Sequence, residues 1–133
     1  MRPAVLVLAL TVPGVSAAAQ SKPPTGADAG AIVFRTICAS CHGKDARGGG
    51  PVAASLKTKP ANLRLIAKRR NGSFPQDEIE QHIDGRNAPP AHGTREMPVW
   101  GEELASAAPS EEREQRRKQR IDEVVAYLKK IQE

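Results

Sequence analysis

Bulky apolar side chains are scarce in this chain. Of its 133 residues, only two Phe, one Trp and one Tyr are aromatic. A domain of this size with so few large apolar groups struggles to bury enough surface on its own, so something besides side chains should fill its centre. Cysteine is scarce as well: there are two, and they stand three positions apart. A disulfide between them would close a loop too short to constrain the unfolded chain, which excludes a disulfide-stapled scaffold. No apolar run approaches the roughly 20 residues that a spanning helix needs. No alternating apolar and polar pattern marks a strand, and no internal repeat occurs. What remains is an all-α chain with long loops, since Gly and Pro number eleven each. The net charge of +5 is modest and the basic residues are scattered. With so few aromatics among them, they do not make a nucleic-acid surface. They suit acidic protein partners at short range.

The first nineteen residues differ from the rest. Arg2 gives a positive start, Ala4 to Val12 is an almost unbroken apolar run, and Pro13-Gly14 breaks it. Ala17-Ala18-Ala19 before Gln20 fits the small-residue rule for cleavage. Residues 1–19 therefore read as a secretory signal peptide, with an uncleaved anchor as the alternative. Export implies a periplasmic location. Loss of Arg2 lowers the net charge from +5 to +4. Residues 20–27 read as a flexible leader, and residues 28–133 as one domain.

Within that domain, Asp28 is expected to cap a helix carrying Ile32, Val33, Phe34 and Ile37, with Gly43 ending it. Gly48-Gly49-Gly50-Pro51 is a loop. Pro60 to Arg70 is expected to form a short helix stopped by Asn71-Gly72. A further helix follows Pro75, with Ile79 and Ile83 at helical spacing before Gly85. Residues 86–101 are expected to be extended loop. Ser110 should cap a long last helix whose stripe is Ile121, Val124, Val125, Leu128 and Ile131. Its first half, Glu111 to Arg120, is polar throughout and reads as a solvated extension.

Cys38-Ala39-Ser40-Cys41-His42 carries the chemistry. It is C-x-x-C-H, the signal for covalent attachment of haem c. Two thiols on one helical turn reach the two vinyl groups on one porphyrin edge, and the following histidine then lies under the iron. A thioredoxin-like pair would want a βαβ pattern, which is absent. A closed zinc site would want a second ligand pair, which is also absent. One haem, with its iron, would supply the missing core.

The resemblance extends beyond the motif. Asp28-Ala29-Gly30-Ala31-Ile32-Val33-Phe34, Gly50-Pro51, Met97-Pro98-Val99-Trp100-Gly101 and Val124-Val125-Ala126-Tyr127-Leu128 occur in the order seen in class I cytochromes c. The chain resembles that family, and its bacterial monohaem members most closely, over about residues 28–132. The resemblance implies the cytochrome c fold, about three to five helices wrapped around one covalent haem. It implies that Gly30, Phe34 and Tyr127 meet where the first and last helices cross. It gives Pro51 the role of offering its backbone carbonyl to His42.

The distal ligand decides the functional class, because an open site binds gases or peroxide whereas a six-coordinate one passes electrons. His82, His92 and Met97 are the strong candidates. Met97 is preferred, since Pro98 restricts it to an extended conformation from which its thioether can project inward. His82 reads as an exposed helical histidine. His92 is a minor rival, and Trp100 is placed to pack beside the haem. The expected function is single-electron transfer through a His42/Met97 haem, with no enzymatic activity. Redox proteins such as a terminal oxidase or dehydrogenase are the expected partners. Lys57, Lys59, Lys68, Arg69 and Arg70 are candidates for a positive docking rim. The alternatives are a subunit of a periplasmic dehydrogenase or oxidase complex, and a haem sensor or enzyme with an open distal site.

Overall fold

The computed structural model describes residues 23–86, 97–107 and 109–133. The expected signal peptide of residues 1–19 and His92 lie outside the described residues. Every regular element among the described residues is helical. The first helix, α1, spans Gly26–Val33, with Thr25 as its N-cap, three residues before the expected cap Asp28. Asp28 lies in its first turn, where a carboxylate faces the positive end of the helix dipole.

The helix does not stop at Val33. It runs through a π-helical segment, Phe34–Cys38, into α2, Ala39–His42. The wider turn is visible in the bond from the Ala39 N–H to the Phe34 carbonyl, five residues back. Thr36 contributes by donating its hydroxyl to the Ile32 carbonyl at 2.9 Å, which competes with the regular ladder. One extra residue in a turn shifts the phase of all later side chains by roughly 100°. The face carrying Cys38, Cys41 and His42 is thus rotated away from the face carrying Gly30 and Phe34. Gly43, at φ 79°, ends the helix as expected.

Residues 60–70 do not form the single helix expected of them. They make two 3₁₀ turns, Leu63–Leu65 and Lys68–Arg70, and Asn71 in the left-handed region stops the second. The Asn62 side chain accepts from the Arg64 N–H and fixes the first turn. Helix α3, Gln76–Asp84, follows Pro75 and ends at Gly85 with φ 70°, as the sequence suggests. Helix α4, Trp100–Ala105, begins in the last two residues of the expected loop, 86–101, and runs beyond it. Its six residues are too few to show periodicity. Val99 is extended before it, and Glu102 and Glu103 sit in its first turn.

The last helix, α5, spans Arg113–Lys130. Ser110 does not cap it through its side chain; Ser110–Glu112 form a 3₁₀ turn that leads into it. Its apolar stripe behaves as predicted, with Ile121, Val124, Val125 and Leu128 buried. It lies across α1, and Gly30 makes the crossing possible. A Cβ on Gly30 would stand 1.8 Å from the Glu123 carbonyl oxygen. Phe34, fully buried, meets Tyr127 there with ring centroids 5.2 Å apart and planes at 47°. Such tilted pairs contribute about 0.5–1.5 kcal/mol beyond area burial. This bears out the helix-crossing trio expected from the resemblance.

Candidate functional site

The site grows from the end of α2. Its last carbonyls would be unsatisfied without partners. The glycine-rich loop returns alongside and supplies them: Gly48, Gly50 and Val52 donate to the carbonyls of His42, Cys41 and Ser40 at 2.8, 3.0 and 3.1 Å. The approach is backbone on backbone. A Cβ on Gly50 would stand 2.3 Å from the Ser40 oxygen. The loop therefore fixes the thiol-bearing turn and the histidine that follows it.

His42 is half-buried, and its Nδ1 donates to the carbonyl of Ala61 at 3.2 Å. This corrects the assignment of that acceptor to Pro51. Pro51 stands between Gly50 and Val52, whose N–H groups are both committed to the helix end. Ala61 reaches the ring because two contacts draw its segment in. Leu63 donates its N–H to the Ala46 carbonyl at 2.9 Å, and the Pro60 oxygen lies 2.2 Å from where a Cβ on Gly48 would be. A carbonyl can only accept, so Nδ1 carries the proton and Nε2 keeps its lone pair free. Burial lowers the His42 pKa below the usual imidazole range, opposed in part by the Ala61 hydrogen bond. Both facts leave an imidazole ready to act as a ligand at neutral pH.

Cys38 and Cys41 are free, half-buried thiols. Burial, helped by the neighbouring Cys41, pushes the Cys38 thiol up to about 11. A redox-active cysteine of the C-x-x-C type shows the reverse, a lowered pKa and a stable thiolate. No group of three or more His, Cys, Asp or Glu capable of holding a metal ion occurs among the described residues. The zinc and thioredoxin readings thus gain no support from the surroundings of the motif.

The core that Cys38 packs against carries a rim of partly buried apolar side chains, among them Ile37, Leu63, Phe74, Ile79, Met97 and Trp100. All pack against the same core as Cys38 and still keep exposed surface. Val52, Leu56 and Val99 are exposed outright. Two thiols, a neutral imidazole and a thioether, together with apolar surface left bare on the same small domain, are the donor set and lining that a covalently bound macrocycle requires. The residues present fit a haem.

Two sequence-predicted roles separate here. Met97 and Trp100 join the apolar rim. His82 does not: it is exposed, and its Nδ1 donates to the Glu78 carbonyl of its own helix at 2.8 Å. The five basic candidates for a docking rim, Lys57, Lys59, Lys68, Arg69 and Arg70, are all exposed, and Arg70 is paired with Glu78 at 2.5 Å.

Sequence reasoning missed three residues near the site. Ala61 acts through its backbone, which leaves no mark in the sequence. Asp84 closes α3 and receives both Nε and Nη2 of Arg86, at 2.6 and 2.8 Å. The Arg86 hydrogen bond, opposed by burial, holds the Asp84 carboxyl below the usual carboxylate range. Arg117 is buried at 5% exposure within the supposedly solvated half of α5. Its Nε donates to the Gly101 carbonyl at 2.9 Å. No helix of the described residues is long and apolar enough to cross a membrane.

Neither the curated proteins nor the solved structures include a match to this chain. A family model does match: the one described as Cytochrome C oxidase, cbb3-type, subunit III covers residues 25–128. With the all-α architecture and the site just described, this match places the chain in that family of c-type cytochromes, electron carriers whose cofactor is a covalent haem c with its iron.

Proposed function

We propose that the chain is an exported, periplasmic monohaem carrier that passes single electrons to or from a redox partner such as a terminal oxidase. Cys38 and Cys41 hold the haem through thioethers, and His42 and Met97 are its axial ligands. The observation that carries this reading is the neutral, carbonyl-anchored imidazole of His42 directly after two free thiols, in a domain whose core is packed by both Cys38 and Met97. Haem c with two axial ligands supplies reversible one-electron chemistry, and a methionine ligand raises its potential. The protein's own work is to orient and shield. Ala61 fixes the His42 tautomer, the glycine loop fixes the thiol turn, and the apolar rim keeps water from the site. A dry surrounding disfavours the added positive charge of the ferric state.

The test is Met97→Ala. The ferric wild-type holoprotein is expected to show the weak red absorption band that marks methionine on ferric haem, and to bind carbon monoxide slowly when reduced. The variant should lose the band and bind carbon monoxide rapidly. A wild type without the band, open to carbon monoxide, would support an open-site sensor or enzyme instead.

A second reading is a fixed subunit of an oxidase complex. Membership in a family described as an oxidase subunit favours it. The polar start of α5 adds little to it as a docking feature, because Arg117 there is turned inward. Stable co-purification with an oxidase would favour the subunit over the free carrier.

A further inference from the structure

Arg117 is the one arginine buried among the described residues. Burying a guanidinium costs several kcal/mol unless it is paired and hydrogen-bonded, and an apolar residue of similar volume is often no less stabilising. Its place in this small domain therefore asks for a reason beyond stability.

Its partners supply one. Nε donates to the carbonyl of Gly101, in the first turn of α4. Another nitrogen pairs with Glu114 one turn back on α5, and a third lies 3.5 Å from Glu102 of α4. The planar fork is thus divided between two helices, a use for which lysine has no equivalent geometry. Gly101 is held from its other side too. A Cβ there would stand 2.1 Å from Asp84 Oδ1, at the end of α3. Asp84 is itself fixed by Arg86, whose Nη2 reaches to 3.5 Å from Glu114. The start of α4 is clamped between the end of α3 and the buried face of α5. Met97 stands four residues before Gly101, and Pro98 stiffens the link between them.

We infer that Arg117 is a positioning residue for Met97: by gripping the Gly101 carbonyl it holds the methionine segment in place against the haem. This rests on the reading of Met97 as the distal ligand. The thiols and His42 belong to a different element, so loosening the clamp should leave the haem attached and its proximal side intact.

The experiment compares ferric holoproteins of the wild type, Arg117→Gln, Arg117→Lys, Gly101→Ala and Met97→Ala. Three readouts are taken: the red methionine band, the affinity for added imidazole, and thermal unfolding. Arg117→Gln is expected to keep covalent haem and to lose most of the band at neutral pH. Imidazole should bind it about tenfold tighter or more, because apparent affinity rises as the competing closed state is depopulated. Arg117→Lys should fall between Arg117→Gln and the wild type. Gly101→Ala should move the same two readouts while Arg117 is untouched, and it carries the test if Arg117→Gln yields no holoprotein. A lowered melting temperature with wild-type band and wild-type imidazole affinity would show a merely structural arginine and overturn the inference. If the wild type lacks the band, or Met97→Ala leaves it unaltered, the ligand assignment itself fails and the inference falls with it. A band present in the wild type and lost in Met97→Ala, but unmoved by the other variants, sinks the inference alone.

Discussion

Gly30→Ala sets two opposed effects against each other at the crossing of α1 and α5. Alanine in place of glycine inside a helix favours folding by about 0.5–1 kcal/mol through backbone entropy. Against this, the new Cβ would lie 1.8 Å from the Glu123 oxygen and 2.4 Å from its carbonyl carbon. Both atoms are backbone, so no rotamer change relieves the overlap. The helices must part by more than 1 Å to restore the 3.0 Å that real Cβ atoms keep. That separation loosens the Phe34–Tyr127 pair and the packing of buried Val33 and Val124. Overpacking a close contact costs roughly 1–3 kcal/mol, occasionally more, and an immovable partner belongs at the upper end. The clash wins, for a net loss of about 2 kcal/mol. For a domain near 100 residues this lowers the Tm by roughly 10 °C. Thermal unfolding of the holoprotein by circular dichroism measures it. Gly49→Ala is the control, because a Cβ there meets nothing within 4 Å. It should be neutral or slightly stabilising. A Gly30→Ala protein that melts at or above the wild-type temperature would refute the reasoning.

Three other outcomes are expected. Asp84→Asn should lower stability at neutral pH, because the folded-state pKa of Asp84 is depressed by the hydrogen bond from Arg86. That contribution is present above the ordinary carboxylate range and is lost as pH falls through the depressed value, so denaturant titrations of variant and wild type should converge below about pH 4. His82→Gln should leave the haem spectrum and imidazole affinity unchanged, since His82 is exposed, tied through Nδ1 to its own helix and outside the apolar rim; altered ligation in that variant would reinstate it as a rival ligand. Electron transfer with an acidic partner should slow as salt rises, because exposed charges such as Lys57, Lys59 and Lys68 are screened beyond about 10 Å at 0.1 M. A stopped-flow rate that does not change with ionic strength would remove charge from the docking account.

Much of the fold is legible in the sequence because the signals are local. Gly43 and Gly85 end helices where glycine permits positive φ, and the stripe from Ile121 to Leu128 is buried as its spacing predicts. The thiols and His42 are legible because the chemistry needs them contiguous. What escaped was set by distant partners. Arg117 lies in a run of polar residues and is buried only because a carbonyl sixteen positions away meets it. The acceptor for His42 moved from Pro51 to Ala61 because backbone bonds from Gly50, Val52 and Leu63 decide which carbonyl faces the ring. Residues 60–70 became two 3₁₀ turns in part because they are pinned from outside. The Gln132 side chain takes the Ala67 N–H and gives to the Leu63 carbonyl, both at 2.9 Å. A pattern within one segment holds no record of such ties.

The crossing of α1 and α5 also bears on the order of events during folding. Phe34 and Tyr127 touch across 93 positions of chain. Closing a flexible loop of that length costs about 4 kcal/mol in chain entropy before any contact repays it. Helix α1, which leads into the two thiols, packs on α5, so a chain emerging N-terminus first presents Cys38 and Cys41 before that packing has formed. Burial raises the Cys38 pKa in the folded protein. The thiols are therefore most reactive in the interval before the last helix docks. Native topology, by placing a contact across 93 positions beside the attachment turn, leaves that interval open until the last helix arrives.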